Sequence, residues 1–83
     1  MSSEQLNRIY RPVLNRLSAR ANCSPLTLQV AESHRGFSIV ELLAECGTVS
    51  VATGTGACES EAADMAVGRA IRQVVSARGW KAS

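Results

Sequence analysis

The sequence predicts an α+β domain with the element order α-β-β-β-α, in which a three-stranded antiparallel sheet carries two helices packed on one face. Three observations predict this fold. Apolar residues recur at helical spacing near both ends of the chain, and of the three strand segments between them the first and third alternate apolar and polar side chains. The segments that join the strands are too short for the crossover that parallel strands need. The chain has 83 residues, the size of one small domain, so residues 1–83 are taken as a single domain.

The first helix is predicted over residues 3–21. Ser2 and Gln5 stand at its start in the spacing of a capping box. Its predicted core face groups the apolar side chains of Leu6, Ile9, Tyr10, Val13, Leu14 and Leu17. Pro12 removes a backbone donor inside this segment, so the sequence fits either one bent helix or a short turn followed by a helix that starts at Pro12.

Three strands and a second helix follow. The strands are predicted over residues 26–30, 37–45 and 48–53, with turns at residues 33–36 and at Gly47. Residues 53–56 are expected to form a turn into a helix over residues 59–77, which Gly79 ends. Alanine dominates the predicted buried face of this helix, which consists of Ala62, Ala66, Ala70, Val74 and Ala77, flanked by Ala63, Val67 and Ile71.

The element order and the start of the last helix resemble the double-stranded RNA-binding domain family. In that family a Gly-x-Gly turn precedes a helix that opens with lysines and alanines. Gly54, Gly56, Ala62 and Ala66 fall at the matching positions of this chain. The resemblance covers most of the chain in topology but only residues 54–66 in motif. It implies the fold.

The residues that bind RNA in that family are missing. The family's lysines contact phosphates across the major groove. Glu59, Ser60 and Ala63 occupy the three lysine positions here, and Glu61 adds a second carboxylate. The histidine and glycine of residues 33–36 stand in the reverse of the family's order and lack its proline. The resemblance therefore implies the architecture without the RNA site.

No pattern points to catalysis, a metal or another cofactor. Cys23, Cys46 and Cys58 form no CxxC pair, and His34 is the single histidine, so no metal-ligand spacing exists. Cys58 lies near a helix start, where a thiol pKa can fall, but the carboxylates that follow it favour a capping or packing role. The glycines of residues 53–57 could expose backbone amides to an anion, but the same carboxylates oppose an anion there. We therefore expect these glycines to have a structural role.

Two surfaces remain as candidate binding sites. If the face of the second strand that carries Val40 and Leu42 meets the helices, the opposite face exposes three apolar side chains: Phe37, Ile39 and Leu43. Contiguous exposed apolar surface on a small domain is typical of a partner site or a self-association site. Two alternatives stay open: Trp80 and the C-terminal tail cover this face, or the helices cover both faces.

The second candidate surface is basic. It consists of four arginines on a broad arc of the first helix: Arg8, Arg11, Arg16 and Arg20. Such a set is either a solvated face or a contact for an acidic partner. The net charge of +2 is spread along the chain without a concentrated basic patch, which disfavours a nucleic-acid partner.

The sequence thus predicts a non-catalytic module that acts through protein–protein contact and needs no cofactor. A small regulator or inhibitor of a larger complex, of the kind that phages encode, fits this description, and a homodimer is a further arrangement. The alternative is binding of double-stranded RNA or DNA through the arginines of the first helix. We expect a cytoplasmic location, because reduced thiols are typical there, and no contact with a membrane, because no apolar segment has the required length.

Overall fold

A computed structural model describes residues 1–22, 25–44 and 47–77, with residues 74–77 described for their backbone only. The elements are α1 (Ser3–Ala21), β1 (Thr27–His34), β2 (Phe37–Ala44), β3 (Val49–Gly56) and α2 (Glu59–Ala77). The predicted α+β fold with the order α-β-β-β-α is therefore confirmed. Several earlier expectations concern residues outside the described part of the chain: Cys23, Glu45, Cys46, Gly79, Trp80 and the C-terminal tail.

Helix α1 begins and ends as its local sequence indicates. Ser2 accepts a hydrogen bond from the Gln5 backbone N–H, and the Gln5 side chain accepts one from the Ser2 N–H, so the capping box is formed. Asn22 ends the helix in the left-handed conformation with a φ of 54°, and its N–H bonds to the Ala19 carbonyl. The helix continues through Pro12, so of the two interpretations the single helix is the correct one.

The buried stripe of α1 is narrower than predicted. Leu6, Leu14 and Leu17 are buried, but Ile9 is 59% exposed, so its assignment to the core face was wrong. At 3.6 residues per turn Ile9 lies about 80° around the helix from Leu17, beyond the reach of the sheet and of α2. In α2 the same correction applies to Ile71, which is 41% exposed one turn after the buried Val67.

The strands form an antiparallel meander in the order β1-β2-β3. In its register Val40 lies opposite Val30 and Gly54, and Leu42 lies opposite Leu28. Val40 and Leu42 are fully buried in the cluster that both helices contribute to. Helix α1 packs over β1, and α2 packs over β3 and β2, on this one face of the sheet. Among the described elements none covers the opposite face.

Close backbone packing, rather than a turn, explains the two glycines before α2. Strand β3 continues to Gly56, so the expected turn over residues 53–56 was wrong. A Cβ on Gly54 would lie 2.0 Å from the Ala62 carbonyl oxygen and 2.5 Å from the Ala66 nitrogen. A Cβ on Gly56 would lie 2.7 Å from the Glu61 Cβ. Ala62 and Ala66 are fully buried against this strand, so glycine on one side and alanine on the other let the two backbones meet.

This packing predicts that Gly54→Ala destabilises the domain. Because the added methyl meets backbone atoms, α2 must move away from β3, and overpacking of this kind costs about 1–3 kcal/mol. Gly68→Ala is the matched control, since its Cβ would meet nothing within 4 Å and alanine favours a helix by up to about 1 kcal/mol. Urea unfolding followed by circular dichroism measures both variants. Equal stability of Gly54→Ala and the parent chain would contradict the close approach.

Candidate functional site

Helix α1 closes the outer edge of β1. Three of its side chains, spaced four residues apart, bond to the backbone of alternate residues: Ser3 to Val30, Asn7 to Leu28 and Arg11 to Leu26. The Asn7 amide makes the strongest of these contacts, because it accepts from the Leu28 N–H and donates to the Leu28 carbonyl, each at 2.8 Å. Four of the backbone groups that an edge strand normally leaves free are therefore occupied, in the part of the edge next to Leu26, Leu28 and Val30.

Helix α2 closes the outer edge of β3 in the same way. Its three side chains are again four residues apart: the Met65 sulfur accepts from the Thr55 N–H, Arg69 donates to the Thr53 carbonyl and Gln73 donates to the Val51 carbonyl. The shortest contact joins the Arg69 guanidinium to its carbonyl at 2.7 Å. A partner strand that pairs with a sheet edge needs free backbone groups. At both edges the helices already bond several of these groups, four at the β1 side and three at the β3 side, which disfavours an added strand there.

The start of α2, where the double-stranded RNA-binding domain family presents lysines, is built around a carboxylate. The Glu59 side chain is only 17% exposed, and one of its oxygens accepts from the Ser33 and Ser38 hydroxyls. Its other oxygen lies 3.2 Å from the α-amino group of Met1. Ser38 is fully buried, and this carboxylate is the acceptor of its hydroxyl. We call this group the Glu59 junction, which joins the β1–β2 hairpin, the chain start and α2.

The Glu59 junction stabilises the charged form of the acid. The hydroxyl of Ser33, the backbone N–H of Glu59, the Met1 amine and the hydroxyl of Ser38, in that order, lower the pKa of Glu59 from 4.5 to about 2. The sequence interpretation treated Glu59 as a charge that repels RNA and missed this structural role. Its donors are 21 and 26 residues away in sequence, so no local pattern shows them.

The other two carboxylates at this end of α2 are also engaged. Glu61 accepts from the Ala57 N–H at 3.0 Å, which caps the helix start. Asp64 accepts from the Tyr10 hydroxyl and so ties α1 to α2. Burial, followed by the hydrogen bond and the negative charge of Asp64, raises the pKa of Tyr10 to about 12. A phosphate group would therefore meet three carboxylates at the place where the resembling family presents lysines.

Cys58 and His34 each have another neighbour in the structure. Cys58 is exposed, and a hydrogen bond with the Ser60 hydroxyl is the largest cause that lowers the pKa of its thiol. The His34 side chain is 65% exposed and lies 3.7 Å from Glu32, in the hairpin at the end of β1. No group of three acidic, cysteine or histidine side chains in the described residues could hold a metal ion. Neither described helix is long and apolar enough to cross a bilayer.

The structure divides the four arginines of α1. Arg8, Arg16 and Arg20 are exposed and make no ion pair within residues 1–22, 25–44 and 47–73. Arg11 is half-buried and bonds to the Leu26 carbonyl, so it belongs to the closed edge of β1 rather than to a free basic surface. The exposed Ile9 lies on the same helix and adds apolar area between these charges.

The face of the sheet opposite the helices carries the other predicted site. We call it the open face and define it by the outward side chains of β2, which are Phe37, Ile39, Glu41 and Leu43, together with their cross-strand neighbours. Phe37 is 43% exposed, and Ile39 and Glu41 are half-buried. Leu43 is 8% exposed, so it adds little accessible area, although it lies outside the cluster between the sheet and the helices.

The neighbours of this apolar strip are polar. The register places Thr27 and Ser50 beside Leu43, Gln29 and Thr53 beside Glu41, Glu32 and Thr55 beside Ile39, and His34 beside Phe37. The open face is thus a narrow apolar strip between two polar borders. Coverage by Trp80 and the tail was one alternative to exposure, and those residues lie outside the described part of the chain. Coverage by the described helices is excluded, since both pack on the other face.

Comparison with known proteins adds no relative: no known family matches this chain, and no curated protein sequence is similar to it. What this chain can bind is therefore inferred from the geometry of the open face and of the basic side of α1.

The Glu59 junction predicts a specific dependence of stability on pH. Since the folded pKa of Glu59 lies below the ordinary value of 4.5, its contribution is fully present above pH 4.5 and is lost as the pH falls toward 2. We expect Glu59→Gln to lower the stability at pH 7 and to flatten its decline between pH 4.5 and 2. The measurement is urea unfolding across this range. Glu4→Gln, which removes an exposed carboxylate from the first turn of α1, should keep the steep decline of the parent chain.

Proposed function

We propose that this chain is a non-catalytic binding module that recognises another protein through the open face of its sheet. The observation that carries the proposal is the 43% exposure of Phe37 beside the half-buried Ile39, on a face that no described helix covers. An apolar strip with a polar border is the usual composition of a docking surface. In this proposal the architecture is that of a double-stranded RNA-binding domain whose RNA site has been replaced.

Electrostatics favours a protein over a nucleic acid. Glu59, Glu61 and Asp64 occupy the start of α2, and Glu32 and Glu41 lie on the open face. Nucleic-acid binding depends on cations that replace the counterions of the phosphates. Carboxylates at both places oppose such binding and leave a protein as the better partner.

The basic side of α1 is proposed as a second contact. Arg8, Arg16 and Arg20 project from a helix on the other side of the sheet from the open face, and they fit an acidic protein surface. Two surfaces of opposite charge suit a small regulator or inhibitor that docks on a larger complex, and a homodimer is the competing arrangement. A cytoplasmic site of action is proposed with it, since the cysteines would stay reduced there.

Phe37→Ser is expected to abolish partner binding and to preserve the fold, because it removes exposed apolar area without opening the core. Ile71→Ser is the matched control, since Ile71 is 41% exposed but lies on α2, away from the open face. Affinity capture from host lysate followed by mass spectrometry compares the proteins retained by each variant. The proposal requires a partner that the parent and Ile71→Ser retain and Phe37→Ser loses. An identical set of retained proteins for all three would refute it.

Nucleic-acid binding through the exposed arginines of α1 is the second candidate function. A titration distinguishes it from protein binding. We expect fluorescently labelled duplex RNA and duplex DNA to show no saturable binding at low salt, because carboxylates replace the phosphate-contacting lysines. Charge-driven binding would instead weaken steeply as salt is added. Tight, salt-sensitive binding that Arg16→Ala and Arg20→Ala weaken would overturn the protein-binding proposal in favour of the nucleic-acid alternative.

A further inference from the structure

The open face carries an acid that has no counter-charge within the part of the chain that the structure describes. Glu41 is half-buried at the centre of the face, between Ile39 and Leu43 along β2 and between Gln29 and Thr53 across the strands. Its carboxylate makes no hydrogen bond or ion pair within the described residues. Partial burial of an unpaired charge is unfavourable, and a cation placed against it removes that cost.

The rest of the face supplies no such cation. Glu32 borders Ile39, and one of its oxygens lies 3.7 Å from His34, which is a cation only when protonated. The remaining border positions are neutral hydrogen-bonding side chains: Thr27, Gln29, Ser50, Thr53 and Thr55. No lysine or arginine occupies an outward position of the three strands. The face is therefore apolar along its centre and negative in its charge.

From this complementarity we propose that the open face binds a segment of another protein in which apolar side chains alternate with lysine or arginine. This inference rests on the proposed function and specifies the chemistry of its partner. Apolar side chains of the segment pack on Phe37 and Ile39, and a cation pairs with Glu41. Because side chains of α1 and α2 already occupy part of the backbone at both sheet edges, we expect the segment to bind through side chains rather than as an added strand.

Charge also argues against a second copy of the chain on this face. A two-fold dimer pairs the same patch on both subunits. Glu41 and Glu32 of one copy would then lie near those of the other, and like charges at an interface are costly. A basic segment meets no such repulsion.

Two synthetic peptides, in which leucine alternates with a charged residue, test the proposal on the full chain. They share the same leucine positions, and one carries lysine where the other carries glutamate. In nitrogen-15 spectra the lysine peptide should shift the amide signals of Phe37, Ile39 and Glu41, whereas the glutamate peptide should leave them unchanged. Glu41→Gln should weaken the lysine peptide about tenfold. Glu4→Gln is the matched control, because it removes the same charge from α1, and it should change the affinity less than about twofold.

Three results would overturn this inference: equal binding of both peptides, shifts that map to α1, or equal affinities of Glu41→Gln and Glu4→Gln. If Phe37→Ser still abolishes partner capture in that case, the proposed function stands and only the basic partner fails. Trp80→Ala tests the chain's own C-terminal segment as the occupant. If Trp80→Ala leaves the peptide affinity unchanged, the proposal is supported. If the variant binds the peptide more tightly, the chain's own C-terminal residues are the occupant of the open face, and the proposal is overturned.

Discussion

The close approach of β3 to α2 is the constraint on which the rest of this structure depends. A methyl group at Gly54 would lie 2.0 Å from the Ala62 carbonyl oxygen, so the two backbones meet only because one side has no Cβ and the other has a single methyl. The core contains no fully buried aromatic side chain among the described residues and is built from leucine, valine and alanine. Such a thin core lets both helices lie on one face, and the other face stays uncovered by either of them.

The same proximity determines how this protein can be recognised. Because α2 lies close to β3, the side chains of Arg69 and Gln73 reach the carbonyls of the outer edge, and on the other side Asn7 reaches the backbone of β1. Short antiparallel sheets are prone to pair with a foreign strand at a free edge. Here helix side chains already occupy part of the backbone at both edges, which disfavours that mode. Specificity must then come from side chains on the open face and on α1, which is why the placement of single residues such as Phe37 and Glu41 matters.

Sequence periodicity was sufficient for the features that depend on local structure. The bounds of both helices were predicted to the residue, because the cap at Ser2 and the apolar spacing are local signals. Features that depend on distant neighbours were not predicted. Gly54 is compatible with a turn or a close approach, and only the position of α2 decides between them. The exposure of Ile9 depends on how much of the circumference of α1 the sheet and α2 cover. For the open face, the sequence identified Phe37 and Ile39 but not which side of β2 was buried.

The distribution of satisfied and unsatisfied charge is the strongest link from fold to function. Around the start of α2 every carboxylate has a donor: Glu59 binds Ser33 and Ser38, Glu61 binds Ala57 and Asp64 binds Tyr10. Acids that would repel a phosphate therefore stabilise the domain, and Glu59→Lys would remove the bonds to Ser33 and Ser38 as well as change the charge. Elsewhere, Glu41 on the open face and Arg16 and Arg20 on α1 make no ion pair with any described residue. Since charges used for folding are not free for recognition, these unpaired groups are the ones available to a partner, and they lie on the same two surfaces that carry the exposed Phe37 and Ile9.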